Sequence, residues 1–169
     1  MDNKNDLITM FKVSFKDDFK NVLVFQDKVT VVTLTGKIVI DIEHIPHDIW
    51  TWAMEHPSID ISVTYNNERE NWILKASGKA KCHTEDTPNP KIGERIAESR
   101  AKLRLYKFMM TLTSKLCTYY YAMVYGKQGK ATSNFVVPND QTSLFVTNKK
   151  YTGLYVKETQ HLDKLLKGL

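Results

Sequence analysis

Basic side chains recur in the middle of the chain at spacings that place them on shared faces. Lys75, Lys79 and Lys81 fall on alternate positions of one predicted strand, so they share one side of it. Further cations follow at helical spacing in two stripes: Lys91, Arg95 and Lys102, and Arg100, Arg104 and Lys107. Such charges neutralise phosphates and give salt-dependent, sequence-independent affinity for nucleic acid, or they dock on an acidic protein surface.

The charge distribution supports the same two possibilities. The net charge is +5, yet residues 71–130 contain 12 Lys and Arg against 4 Asp and Glu, whereas residues 1–70 contain 7 against 12. A basic block of this kind favours a polyanionic partner or an acidic protein surface. The alternative is a solvated basic face with no specific partner.

One segment has the outline of a nucleotide-binding loop. Gly126-Lys127-Gln128-Gly129-Lys130-Ala131-Thr132 resembles a phosphate-binding P-loop, but Val124 stands where its first glycine belongs. Ala131 stands where a Ser or Thr would bind magnesium. We therefore do not expect nucleotide binding here.

Metal and catalytic chemistry have weak support. The residues with suitable ligands are His44, His47, Cys82, His83 and Asp86, but the two early histidines straddle a helix start and no second close Cys/His pair accompanies them. No Gly-x-Ser-x-Gly, paired-carboxylate or Cys/His nucleophile pattern is evident. We expect no metal, no cofactor and no enzymatic activity.

The bulk properties predict a cytoplasmic protein without membrane segments. A chain of 169 residues with 42% hydrophobic residues can bury a core without disulfide bonds, and we expect Cys82 and Cys117 to be reduced thiols. No signal-peptide pattern follows Met1. The most apolar stretch, 103–125, contains Arg104, Lys107 and Lys115, which are too many charges for a membrane span.

The first half of the chain alternates between strands and one short helix. Three apolar runs within 7–34 predict a three-stranded meander; Gly36 is expected to end the third run, and 37–42 predicts a further strand. Pro46 and Pro57 bracket a short helix. Residues 60–65 and 72–83 predict two more strands, the second with Gly78 and Ala80 on the face where a helix can approach closely.

The long helix that begins near Pro90 has two apolar faces. We expect the first to lie on the sheet: Ile92, Ile96, Ser99, Leu103, Tyr106 and Met110. The second starts at Leu105 and needs a cover, either the C-terminal segment or a second copy of the chain: Leu105, Phe108, Met109, Leu112, Leu116, Tyr119 and Met123. Beyond a break at 126–133, short strands are predicted at 134–138, 143–147 and 152–156, with a terminal helix at 158–166.

A Gly/Ala-rich strand that leads into a basic helix resembles the double-stranded-RNA-binding-domain (dsRBD) fold, an α+β fold with the order α-β-β-β-α and its helices on one face of an antiparallel sheet. In that fold, basic residues at the start of a helix bind phosphates. Lys91 and Arg95 occupy the corresponding positions here, although Glu94 and Glu98 add negative charge close to them. The Gly-Pro-x-His loop of such domains has no counterpart at 66–71. The division expected is N-terminal strands at 1–35, a dsRBD-like core with the long basic helix at 36–125, and a β/α extension at 126–169 that packs on that helix.

A closer resemblance is to small accessory proteins of phages and prophages of Gram-positive bacteria that share this fold. It covers about residues 35–110 and is carried by Ile49-Trp50, His56-Pro57, Asp60-Ile61, Asn71-Trp72, Ala76, Gly78, Ala80, Cys82, Asp86, Gly93, Ile96-Ala97 and Arg100-Ala101. The resemblance implies an accessory phage gene. Together with the basic block, the absence of catalytic motifs and the second apolar face of the long helix, it predicts an inhibitor of a host nucleic-acid-handling or defence complex, of the anti-CRISPR or anti-restriction type, in the host cytoplasm. The alternatives are a protein that binds DNA or RNA directly and a structural virion component whose second apolar face is a subunit contact.

Overall fold

The computed structural model describes residues 12–26, 28–41, 45–66, 69–81, 89–125 and 143–168. Within them the elements follow in the order β1 (Lys12–Phe25), β2 (Val29–Asp41), α1 (His47–Met54), β3 (Asp60–Asn66), β4 (Arg69–Lys81), α2 (Pro90–Tyr125) and α3 (Ser143–Lys167). The strands pair antiparallel in the order β1-β2-β4-β3. The expected α+β class with an antiparallel sheet is confirmed.

The N-terminal strands are longer and fewer than expected. A register shift between Phe15 and Lys20 lets β1 continue through the charged residues that were expected to separate two strands. Gly36 does not end a strand either, because it is a buried member of β2 that pairs with Phe15 and with Leu74. The predicted meander was therefore wrong. The start of its first run, up to residue 11, lies outside the described residues.

The order of the elements also differs from that of the fold that the sequence resembles. The described strands between α1 and α2 are β3 and β4, where the expected order has three. The central strand β2 precedes α1 in the chain, crosses the expected boundary at residues 35 and 36, and pairs with both β1 and β4. The N-terminal strands are thus part of the same sheet as β3 and β4.

The short helix α1 joins the sheet to α2 through its two tryptophans. Pro46, expected in the first turn, is its N-cap residue and directly precedes the first helical residue, His47. Trp50 donates a hydrogen bond from its indole to Glu70 of β4, whereas the Trp52 ring stacks on Phe108 of α2 with centroids 5.3 Å apart. The two tryptophans thus contact different elements, the sheet and α2.

The strand β4 buries one side and exposes the other, as its alternation predicted. The buried side consists of Trp72, Leu74, Ala76, Gly78 and Ala80. The helix α2 packs on this side so closely that a Cβ atom at Gly78 would overlap the carbonyl oxygen of Ala97 and lie 2.5 Å from the backbone nitrogen of Ala101. The predicted close approach of a helix over Gly78 is confirmed.

The C-terminal segment is helical where two strands were predicted. Residues 143–147 and 152–156 both lie in α3, and the third predicted strand, 134–138, falls outside the described residues. The short apolar runs looked like strands, but the side chains that pack inward, Leu144 and Tyr151, are separated by seven residues, which is a helical repeat. The predicted terminal helix at 158–166 is confirmed as the second half of α3.

The first apolar face of α2 divides between the sheet and α3. Ile92 and Ile96, expected on the sheet, do pack with Val32 and Ala80 of the sheet. Leu105, Phe108 and Leu112, expected under a cover, belong to one buried cluster that contains Trp72 and Leu74 of the sheet as well as Leu144 and Tyr151 of α3. Ser99, Tyr106 and Met110, expected on the sheet, contact Glu158, Tyr151 and Asn148 of α3. The cover over this part of α2 is thus α3 of the same chain, and the second apolar face is buried within the chain from Leu105 to Leu116, whereas Tyr119 is exposed.

Candidate functional site

The three lysines of β4 lie exposed in one row on the sheet face that points away from α2, which we call the open face. The strand pairing sets their neighbours: Lys79 lies opposite Val31, which lies opposite Leu23, and Lys81 lies opposite Val29, which lies opposite Phe25. Leu23 and Phe25 are 50% and 53% exposed. The open face therefore combines cations with exposed apolar side chains in adjoining rows.

Two arginines of α2 extend this charge round the edge of β4. The pairing of β3 with β4 begins at Asp60 opposite Lys75, so residues 76–81 have β2 as their described strand neighbour. Arg100 donates a hydrogen bond of 2.6 Å to the carbonyl oxygen of Lys79, and Arg104 donates one of 2.8 Å to that of Ser77. These bonds hold the exposed guanidinium groups beside the lysine row.

Behind Arg104 the surface forms a depression of about 350 Å³ that also contains Lys107. His56 lines it and accepts a hydrogen bond at Nδ1 from the backbone nitrogen of Ser58, at 3.2 Å. Burial lowers the pKa of His56, and the positive charge of Lys107 lowers it further. We call Lys75, Lys79, Lys81, Arg100, Arg104 and Lys107 together the basic edge.

Lys102 is not part of the basic edge. Its ammonium lies 3.3 Å from Glu98, and Glu98 and Glu94 also bind Lys20 of β1, at 3.4 and 3.2 Å. The hydrogen bond that Lys20 donates to Glu94 is the main reason that the pKa of Lys20 is raised. Burial lowers the pKa of Lys102, but Glu98 and Glu158 outweigh this and leave it above its ordinary value. This cluster joins α2 to β1 and neutralises the charge that the sequence assigned to binding.

Lys91 and Arg95 lie exposed in the first turns of α2. The helix starts at Pro90 because Asn89 caps it: the Asn89 side chain accepts a hydrogen bond from the backbone nitrogen of Ile92 at 3.3 Å. At helical spacing both cations share the flank of Lys102, which the contacts with Lys20 place toward β1. Arg100 and Arg104 lie on the other flank, toward β4, so the two stripes face different directions.

Sequence reasoning missed the rest of the open face. Lys37 is exposed on β2 and lies opposite Ile73, which puts it on the same side as Lys75 and Lys79. Leu23 and Phe25 were treated as strand residues without a role. Alternation along β1 and β2 would have placed all three side chains on one face had the pairing partners been known.

The other candidate sites receive no further support. The P-loop-like segment and His44, Cys82, His83 and Asp86 lie outside the described residues. Among the residues that are described, no group of three or more His, Cys, Asp and Glu side chains could hold a metal ion. Cys117 is a free thiol, and burial raises its pKa to about 11. In the same part of the chain, no helix is long and apolar enough to cross a membrane.

Comparison of the chain with known proteins gave no match to a family model, to a curated protein or to a solved structure.

Proposed function

We propose that the chain is a non-enzymatic phage accessory protein that binds and blocks a nucleic-acid-handling or defence complex of its bacterial host, in the cytoplasm. The observation that carries the proposal is the gathering of the basic edge around one strand, beside the exposed apolar residues of the open face. The resemblance of residues 35–110 to dsRBD-like phage accessory proteins supports the phage origin. The mode of action would be that of anti-CRISPR and anti-restriction proteins.

The composition of this surface favours a protein partner. A phosphate backbone is bound by cations and hydrogen-bond donors, whereas Leu23 and Phe25 would gain from burial against apolar side chains. Grooves that hold nucleic acid in a host enzyme are lined by cations, so a basic inhibitor would instead dock on an acidic surface of the complex. The guanidinium groups of Arg100 and Arg104 are already fixed by backbone carbonyls, which reduces the entropy lost on docking.

Direct nucleic-acid binding is the second candidate, and one row of the open face favours it. Phe25, Val29 and Lys81 lie across three adjacent strands, so an aromatic ring and an ammonium group are presented on one face with Val29 between them. An exposed ring can stack on a base while a lysine binds the neighbouring phosphate. In this case single strands would bind more tightly than duplexes.

The test compares wild type with the variant Lys79→Glu/Lys81→Glu in two assays. Capture from nuclease-treated host lysate, followed by reconstitution with the purified captured complex, tests the protein partner. Fluorescence anisotropy with labelled single-stranded and duplex DNA and RNA across a salt series tests nucleic acid. The matched control is Lys157→Glu/Lys164→Glu, which makes the same charge change at exposed positions of α3.

If the chain blocks a host complex, that complex should still be captured after nuclease treatment. Its affinity for the chain should fall at least tenfold in Lys79→Glu/Lys81→Glu, the β4 variant, and should stay unchanged in the control variant. If wild type instead binds nucleic acid, the slope of log affinity against log salt should fall by about 0.9 for each duplex phosphate that the β4 variant no longer neutralises. Equal behaviour of both double variants in both assays would overturn the assignment of the basic edge as the binding surface.

A further inference from the structure

Glu70 is a buried carboxylate in a site that the basic edge does not use. It lies near the start of β4, is 4% exposed, and accepts hydrogen bonds from the indole nitrogens of Trp72 at 2.7 Å and Trp50 at 3.2 Å. Both bonds end on the same oxygen, Oε2. Among the side chains that the structure describes, none donates to the other oxygen, Oε1, and none forms an ion pair with Glu70.

A pocket of about 300 Å³ opens against this carboxylate. Its other walls are mostly aromatic: Tyr65, directly across from Glu70 on β3, and Trp50 and His47 of α1, whose rings are stacked with centroids 6.3 Å apart. Ile45 also lines the pocket. Tyr65 is 65% exposed, although an aromatic ring of its size usually packs against protein.

Aromatic faces and a buried carboxylate attract the same kind of ligand. The negative face of an aromatic ring draws a cation, and rings arranged as a cage recognise alkylated ammonium groups. A carboxylate removed from water is stabilised by an opposite charge at short range, and Oε1, to which no described side chain donates, supplies the acceptor for an N–H donor. An anion would instead be repelled by Glu70.

We propose that the pocket formed by Ile45, His47, Trp50, Tyr65 and Glu70 binds an alkylammonium group, as a lysine side chain of a partner protein carries. The ammonium group would lie against Oε1 of Glu70 and the alkyl chain against the rings of Tyr65 and Trp50. The pocket lies at the start of β4, and the basic edge lies at its end, so this site does not depend on the proposed function of the basic edge.

The tryptophans allow a direct test by NMR. The probe is n-butylammonium chloride, the head and stem of a lysine side chain, added to the ¹⁵N-labelled chain while the three indole N–H signals are recorded. A ligand at Glu70 should shift the signals of Trp50 and Trp72 together, because both indoles bond to its carboxylate. The Trp52 indole, which stacks on Phe108, is the internal reference. Sodium chloride at equal concentration and neutral n-butanol are the ligand controls.

Two variants separate the site from a general effect on folding. Glu70→Gln keeps an oxygen acceptor for the indoles but removes the charge, and saturable shifts by n-butylammonium should disappear while the Trp52 signal stays in place. Tyr65→Ala changes an exposed side chain and should weaken binding roughly two- to fivefold, the range expected for one cation–π contact at an exposed site. Shifts that match those of sodium chloride, or that persist undiminished in Glu70→Gln, would overturn the proposal.

The source of the ammonium group is decided with a third ligand. A short extended peptide with one central lysine should give the same pair of shifts as n-butylammonium, at equal or lower concentration. If n-butylammonium binds and the peptide does not, the assignment of a partner lysine as the ligand is overturned, and the pocket is a site for small free amines.

Discussion

The guanidinium group of Arg100 donates a hydrogen bond of 2.6 Å to the carbonyl oxygen of Lys79, across the gap between α2 and the edge of β4. Arg104 makes the equivalent bond to Ser77, one helical turn later and two strand residues earlier. An unpaired strand edge is a template for unwanted pairing with another chain. The two arginines occupy acceptors of that edge, so they protect it while they present charge.

Replacing both arginines by alanine should therefore have two effects. The free energy of unfolding should fall by about 1–2 kcal/mol, because the variant cannot form these two charge-assisted hydrogen bonds at an exposed edge. Self-association should increase, since the carbonyls of Ser77 and Lys79 become available to a second chain. Urea denaturation and sedimentation velocity measure the two effects. The control Lys91→Ala/Arg95→Ala removes the same charge from exposed positions of α2, and equal self-association in both variants would refute the protective role.

Gly78→Ala should be strongly destabilising. The added methyl group would overlap the backbone of α2 at Ala97 and Ala101, which cannot move aside as a flexible side chain can. Overpacking of this kind costs about 1–3 kcal/mol, and more where backbone must shift. Chemical denaturation followed by circular dichroism gives the value.

The control for Gly78 is Gly153→Ala in α3. A Cβ atom at Gly153 would meet nothing within 4 Å, and alanine is favoured over glycine in a helix by roughly 0.5–1 kcal/mol. The same substitution should thus stabilise the chain at one position and destabilise it at the other. A loss of stability at Gly78 below the error of the measurement would show that α2 lies farther from β4 than the packing at Ala97 and Ala101 requires.

The pKa shift of His56 predicts how stability depends on pH. Burial and then Lys107 lower its pKa in the folded chain, so the unfolded chain binds a proton more readily. The contribution of neutral His56 to the free energy of unfolding is therefore complete above the unfolded pKa of about 6.5. It is lost as the pH falls through the lower pKa of the folded chain. Thermal unfolding measured from pH 7.5 to pH 5 should show this decline.

His56→Gln should remove this part of the pH dependence, and Lys107→Met should reduce it by raising the pKa of His56. His161→Gln, at an exposed position of α3, should leave the profile as in wild type. An NMR titration in which His56 changes charge at or above pH 6.5 would contradict the assignment.

Asn148 is a polar link between α3 and α2. Its side-chain nitrogen lies 3.1 Å from the carbonyl oxygen of Met110 and 2.9 Å from the hydroxyl oxygen of Thr113, which is fully buried. Asn148→Ala should lower the free energy of unfolding by about 1–2 kcal/mol, since a buried hydroxyl loses a donor. Gln160→Ala, on an exposed part of the same helix, should change it by less than about 0.5 kcal/mol in urea denaturation.

Local patterns predicted the parts of the fold that local physics decides. The alternation from Trp72 to Ala80 predicted which side of β4 is buried, and Pro46 predicted the start of α1. The end of a strand is different, because it depends on whether neighbours continue to pair. Gly36 lies opposite Leu74 inside a continuous ladder, so the glycine that interrupts the pattern does not interrupt the strand.

The candidate site shows the same limit. Helical spacing put Lys102 in a binding stripe, but its charge is taken up by Glu98, which Lys20 from β1 also contacts. That pairing joins residues 78 positions apart in sequence and cannot be found from spacing along one helix. Which partner each apolar face of α2 packs against likewise depends on the position of α3. The short apolar runs of α3 resemble strands in the sequence, so its helical repeat was not predicted.

The helices and the described part of the open face lie on opposite sides of one thin sheet. Side chains that hold the chain together, such as Trp72 and Leu74, therefore alternate with side chains that meet the surroundings, such as Lys75 and Lys79. Changing the outward set leaves the packed layer intact. Substitutions on the outward face can therefore accumulate one at a time while the packed layer, and with it the fold, is retained.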